Sequence, residues 1–174
     1  MEEAIKGWFL SGTHPHLYQA SLDDQEVHQG RRSACLSSNK VEQQEQFATL
    51  MQQIRADHFL GKRIKLSGFV KTEGVSPSAG LWMRVDSTQE NTLQFDNMQD
   101  RPIIGDNHWN YYHIVLDIPD NSAAISFGLL LIGGGKVWID GLKFEEVDKN
   151  TPTTNPDKGY HLLEKPTNLD FEAE

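Results

Sequence analysis

Residues 81–86 read Leu-Trp-Met-Arg-Val-Asp, so Trp82, Arg84 and Asp86 recur at every second position. In an extended strand that spacing puts these three on one face and Leu81, Met83 and Val85 on the other. An indole beside a guanidinium and a carboxylate can stack on the flat side of a ligand while the charged groups fix its polar atoms, with no bond made or broken. The same trio can also be structural, with Trp82 packed under a loop and Arg84 paired to Asp86 or Asp96. Gln52, on a strand expected over residues 47–54, is a candidate neighbour. So are Asp96 and Trp109, the latter sharing a strand face with Tyr111 and His113. The candidate ligand-binding set is therefore Trp82, Arg84, Gln52, Asp96 and Trp109.

Signals for catalysis are weaker. Residues 74–80, Gly-Val-Ser-Pro-Ser-Ala-Gly, do not place either serine in a G-x-S-x-G turn. Gly133-Gly134-Gly135-Lys136 lacks the frame of a phosphate loop and leads into a strand, not a helix. Cys35 has no motif around it and reads as a small buried hydrophobe. His14-Pro15-His16 has no third ligand at a recognisable spacing. The polar run 96–102 offers the oxygen donors that calcium takes but not EF-hand spacing, so side-chain bonds that hold a long loop are the other reading. No residue is assigned a catalytic role, and the expectation is a protein that is not an enzyme.

The elements that must position these residues are strands. Residues 125–147 carry alternating apolar residues on either side of Gly133-Gly134-Gly135, which reads as a hairpin closed by a glycine turn. Alternation also marks residues 63–72, 81–86, 91–95 and 109–118, with loops expected at 73–79 and from 96 to Gly105. Shorter strands fit residues 7–12, 17–20, 30–38 and 47–54. Many short strands with turn residues between them predict an all-β sandwich of two antiparallel sheets over residues 1–148. Residues 149–174 form a tail that could add one strand at 168–172. The 174 residues carry a net charge of −9 and one cysteine. That charge disfavours nucleic acid as a partner of this chain by itself. No apolar run approaches the ~20 residues of a membrane span, and no secretory signal is visible. The expected location is the cytoplasm.

Two resemblances sharpen this reading. The run from Gly80 to Val147 resembles a galactose-binding-like jelly roll and is similar to carbohydrate-binding modules found beside glycoside hydrolases. The closing strand of that pattern is carried by Trp138, Asp140, Leu142, Phe144 and Glu145, and its glutamine-bearing strand by Leu50, Met51, Gln52, Gln53 and Ile54. The segments FDNMQDRPI, HWNYYHIVLDIP and ISFGLLLIGGGKVWID resemble an accessory domain of bacterial serine peptidases of the tail-specific type, also found in proteins labelled transcriptional regulators. The resemblance implies a jelly-roll β-sandwich whose sheet face binds a small molecule or carbohydrate. It also implies a protein-interaction or regulatory domain as the alternative. A structural calcium is implied as well, with Asp140 at the acidic position of the closing strand. Asn168-Leu169-Asp170-Phe171-Glu172 resembles the opening strand of such a module, which implies strand exchange between copies and a homodimer.

Overall fold

The computed structural model describes residues 5–42, 45–155, 166 and 168–172. Apart from a three-residue 3-10 turn at Pro15–Leu17, the regular elements of the described residues are strands. In chain order they are β1 (Phe9–Gly12), β2 (Gln19–Asp23), β3 (Ser33–Ser38), β4 (Phe47–Arg55), β5 (Arg63–Ser87), β6 (Thr92–Asp96), β7 (Ile103–Asp117) and β8 (Ser122–Val147). No helix among them is long and apolar enough to cross a membrane.

Two very long strands organise the chain. β5 and β8 pair antiparallel along their lengths, from Arg63 opposite Val147 to Ser87 opposite Ser122. The first half of β8 also pairs with β4, and β4 with β1. The second half of β5 pairs with β6. This makes one sheet in the order β1-β4-β8-β5-β6. The other halves of β8 and β5 pair with β3 and β7, and β3 with β2, which makes a second sheet in the order β2-β3-β8-β5-β7. The result is the antiparallel sandwich expected from the strand pattern, in the jelly-roll form that the resemblance implied.

The core lies between the sheets. Leu81, Met83, Val85, Ile125, Leu129 and Leu131 face it from the first sheet, and Ile64, Leu66, Ile114, Leu116 and Val137 from the second. Each such side chain contributes about 1.5–3 kcal/mol by leaving water. The inward face expected for β5, Leu81-Met83-Val85, is therefore the one observed.

Residues 125–147 do not form a hairpin. They run on as one strand that bends at the glycines and carries the chain from the first sheet to the second. Gly133 has φ +80° and Gly135 φ +110°, and Gly134 sits opposite Ser76 of β5. A Cβ on Gly133 would lie 2.2 Å from the Ser76 carbonyl oxygen, and one on Gly135 2.6 Å from that of Gly74. The glycines allow two backbones to approach at a sheet corner, a use of glycine in strands as common as turning the chain back. For the same reason residues 73–79 are not a loop. They continue β5 through register shifts opposite the bend in β8. β7 likewise starts at Ile103, ahead of the expected loop end.

The tail is bound at its start. Arg63 donates from Nε and Nη2 to both oxygens of Asp117, at 2.8 and 3.0 Å, and from Nη1 to the Lys149 and Thr151 carbonyls. Further on, Thr154 N donates to the Val115 carbonyl at 2.9 Å. Residues 168–172 do not add a strand. Asn168 and Phe171 take positive φ and the Phe171 amide closes a turn onto the Asn168 carbonyl.

The Arg63 bond holds the Asp117 carboxyl below its ordinary value. A carboxylate depressed on folding stabilises the fold fully above its unfolded pKa of about 4 and loses that contribution as pH falls through the lower folded value. Urea midpoints of the wild type are expected to fall on acidification below pH ~4 more steeply than those of Asp117→Asn. Parallel curves would refute this role for the pair.

Candidate functional site

The outward face of the first sheet is dished. Strand parity decides what lies on it. Trp82 pairs with Gly128, Gly128 with Met51 and Met51 with Phe9, so these four positions form one row across β5, β8, β4 and β1. Arg84 stands in the next row, opposite Phe95 of β6. Phe9, Met51, Trp82, Arg84 and Phe95, together with Thr49, Phe47, Leu130, Ile132 and Asn97, line a hollow of about 610 Å³.

Trp82 and Arg84 do share this face, as expected, but the indole is not a free platform. It is only 7% exposed, and its Nε1 donates to Thr49 Oγ1 at 2.6 Å across the side-chain-free position of Gly128. It forms the floor of the hollow. Arg84 donates from Nε to Asp86 at 3.0 Å and lies 6.0 Å from the Trp82 ring centre. Its Nη groups make no hydrogen bond among the described residues and are free for a ligand. The most exposed rings of the hollow are Phe9, 45% exposed, and Phe95, 39% exposed, on the two edge strands of the sheet. Neither was a candidate in the sequence. Phe95 had a signal, since it alternates with Leu93. Phe9 is hidden in the bulky trio Trp8-Phe9-Leu10.

Three expected members do not join. Gln52 follows Met51 and pairs with Phe127, which is on the core side, so its side chain leaves the sheet on the face away from Trp82. Asp96 pairs with the core residue Met83 and is fully buried. Its carboxylate accepts from the Met98 amide, Arg101 Nη2 and Thr154 Oγ1 at 2.9, 2.7 and 2.6 Å. It clamps the 96–101 turn to the tail. Trp109 belongs to β7 in the second sheet and stands with His28.

Asp140 was the candidate calcium ligand. One oxygen accepts from the His28 and Gln29 amides at 2.9 Å each, the other from the Gly141 amide at 2.8 Å. Among the described residues no group of three or more His, Cys, Asp or Glu could hold a metal ion. Both oxygens of Asp140 are thus taken by backbone amides, and Asp140 acts as a loop anchor.

A larger cleft of about 1040 Å³ lies on the second sheet, lined among others by Gln19, Ser37, Lys136 and Trp138. Its large rings are buried and bonded inward, Trp138 to Asp23 Oδ2 at 2.8 Å and Tyr18 to the Gly133 carbonyl. Burial pushes the thiol of Cys35, on its floor, up to about 11, which leaves it inert.

Trp82→Phe removes the bond to Thr49 but keeps most of the floor. It is expected to lower stability by about 1 kcal/mol, whereas Trp82→Ala costs about 3–5 kcal/mol. Urea unfolding of the two variants checks this, and a Trp82→Phe chain as stable as the wild type would show that the indole nitrogen plays no part.

No protein-family model matches the chain. It is 53% identical over all 174 residues to an uncharacterized HTH-type transcriptional regulator, YbfP, of Bacillus subtilis (strain 168). The chain spans 59% of the length of that relative. Among solved structures, the chain is similar to the CBM22-1 xylan-binding domain of Paenibacillus barcinonensis Xyn10C, with a TM-score of 0.56 and 16% identity over 84% of this chain and 89% of that one. It is also similar to the CBM22-1-CBM22-2 tandem of the same protein, with a TM-score of 0.59 and 14% identity over 90% of this chain and 44% of that one. A third is the enzymatically active domain of tailspike protein 4 of bacteriophage CBA120, with a TM-score of 0.62 and 16% identity over 82% of this chain and 20% of that one. The fold is that of carbohydrate-binding modules.

Proposed function

We propose that this domain is a non-catalytic module that binds a carbohydrate in the hollow of its first sheet. The observation that carries the reading is the pair of exposed rings, Phe9 and Phe95, on the outer strands of a dished five-stranded face with free Arg84 Nη donors near one of them. The strands that carry them are four strand spacings apart, roughly 19 Å. That distance suits a short oligosaccharide better than a single sugar. A pyranose stacks its C–H face on an aromatic ring, and a planar donor such as guanidinium fixes hydroxyls beside it. The reading is also supported by the shared fold with modules named as xylan-binding and with one solved in complex with β-1,4-galactotriose.

Calorimetric titration with xylohexaose and β-1,4-galactotriose tests it. Phe95→Ala and Phe9→Ala are each expected to weaken binding about tenfold, which is about 1.4 kcal/mol. Arg84→Gln is expected to weaken it as well, with the fold intact. Binding that is indifferent to all three variants rejects the site.

A second reading rests on the 53% identical relative, whose name is that of an HTH-type transcriptional regulator and of which this chain matches 59%. In that reading the domain is the regulatory or interaction part of a longer protein and pairs with another copy or another segment. Sedimentation separates the two: a stable dimer that ignores sugars favours pairing.

A further inference from the structure

We propose that the outer face of the second sheet carries a second, independent saccharide platform, built from His28, Phe69, Trp109, Tyr111 and His113. The inference goes beyond the hollow, because the two faces lie on opposite sides of the core and a short oligosaccharide bound on one does not touch the other.

The rings form a connected strip. Trp109, Tyr111 and His113 alternate along β7 on the side away from the core residues Ile114 and Leu116. Phe69 pairs with Tyr111 in the neighbouring strand, and their ring centres lie 5.6 Å apart. The His28 ring stacks on Phe69 at 3.8 Å and 13°, and lies 5.8 Å from Trp109. Tyr111 and His113 are 5.8 Å apart. Asp140 holds His28 there by its backbone, so the loop residue is a fixed part of the strip.

The polar atoms of these rings decide the ligand class. Buried rings elsewhere in the chain spend theirs internally: Trp82 on Thr49, Trp138 on Asp23 and Tyr18 on Gly133. In the strip, Trp109 Nε1, Tyr111 Oη and the imidazole nitrogens of His28 and His113 make no hydrogen bond among the described residues. Tyr111 is 47% exposed. Burial, with Lys65 and Arg101 nearby, holds His113 below its ordinary pKa, so at neutral pH its ring offers one donor and one acceptor. Lys65 Nζ lies 5.4 Å above the Tyr111 ring. A ring face flanked by neutral donor-acceptor pairs matches a neutral pyranose, whose C–H face stacks while its hydroxyls bond at the edge. With two faces loaded, the module would hold a polysaccharide bivalently, with a gain in avidity and no new contact.

The test uses the full chain with xylohexaose and β-1,4-galactotriose as probes, read by calorimetric stoichiometry and by amide chemical shifts. Soluble xylan in affinity electrophoresis serves as the polymer. The wild type is expected to bind two oligosaccharides, with one set of shifts at residues 28, 67–69 and 109–113 and a separate set in the hollow. The Trp109→Ala/Tyr111→Ala chain is expected to bind one, to lose only the first set, and to be retarded by xylan at least tenfold less. Tyr111→Ala alone, at an exposed ring, guards against misfolding and is expected to show the same shift loss. If the hollow reading fails by itself, the strip shifts persist with a stoichiometry of one and vanish in the double variant. Unchanged shifts and stoichiometry in that variant, no binding of any probe, or a dimer that the variant dissolves would each overturn the proposal.

Discussion

Gly133→Ala is expected to leave the chain unable to reach the native sandwich, while Gly30→Ala folds normally. Both glycines have positive φ, +80° and +68°, which costs an alanine about 1–2 kcal/mol. There the likeness ends. Nothing lies within 4 Å of a Cβ built on Gly30. A Cβ on Gly133 meets the Ser76 carbonyl oxygen at 2.2 Å and Pro77 Cδ at 2.5 Å, atoms of backbone and ring that cannot rotate away. Relief requires β8 to part from β5 at the corner that passes both strands from one sheet to the other. Parting also strains the Gly133 amide bond to the Gln46 carbonyl, 2.8 Å, and the bond from Tyr18 Oη to the Gly133 carbonyl. Strain, clash and buried bonds together exceed about 4 kcal/mol, a large share of the 5–15 kcal/mol by which a domain is stable. Urea unfolding followed by tryptophan fluorescence measures both variants. A Gly133→Ala chain within about 1 kcal/mol of wild type would show that the corner is not the tight joint described.

The same corner marks where sequence reasoning succeeds and where it stops. Period-two alternation on β5 and β8 identified strands and their inward residues correctly, because side chains alternate whether or not the strand bends. It could not say whether three glycines reverse the chain or fold it over a sheet edge, since both need positive φ. That choice is made by Gly74–Pro77, some sixty residues earlier. The site divides in the same way. Trp82 and Arg84 share a face by local spacing alone. Gln52 was misplaced by one step of parity, which β4 leaves open because both its faces are mixed. Small Ala48 and Leu50 turn inward only against the opposing sheet. Trp109 lies on the other sheet because β7 pairs with the first half of β5, a tertiary fact. Phe9 and Phe95 lie at opposite edges of one five-stranded face and have no common signature in the chain.

Asp96→Ala is expected to cost about 3 kcal/mol and to release the tail. Asp96 looked like a ligand residue because it opens a polar run, yet its carboxylate is fully buried and has three donors on it. Truncation strands the Met98 amide in the interior and leaves the half-buried Thr154 hydroxyl with only the Val115 carbonyl, 3.4 Å away. Arg101 keeps about a third of its side chain in water and can turn outward, which holds the loss near the lower end for a broken buried pair. Asparagine is no conservative substitute here. Its amide would set an NH₂ against either the Met98 amide or the Arg101 and Thr154 donors, so Asp96→Asn should lose nearly as much as alanine. The neighbouring test is Thr154→Val, which removes the donor to Asp96 and also the acceptor of the buried Val115 amide, 2.9 Å away, and should cost about 2 kcal/mol. Hydrogen exchange locates the effect: Asp96→Ala should expose the Thr154 amide, which bonds to the Val115 carbonyl, before the rest of β7 opens. If stability and exchange both stay at wild-type values, the carboxylate is not the clamp that joins the 96–101 turn to the tail. The Asp96→Ala/Arg101→Ala double variant sharpens the argument. With the guanidinium also gone, its loss should be smaller than the sum of the single losses, as for two partners in one network.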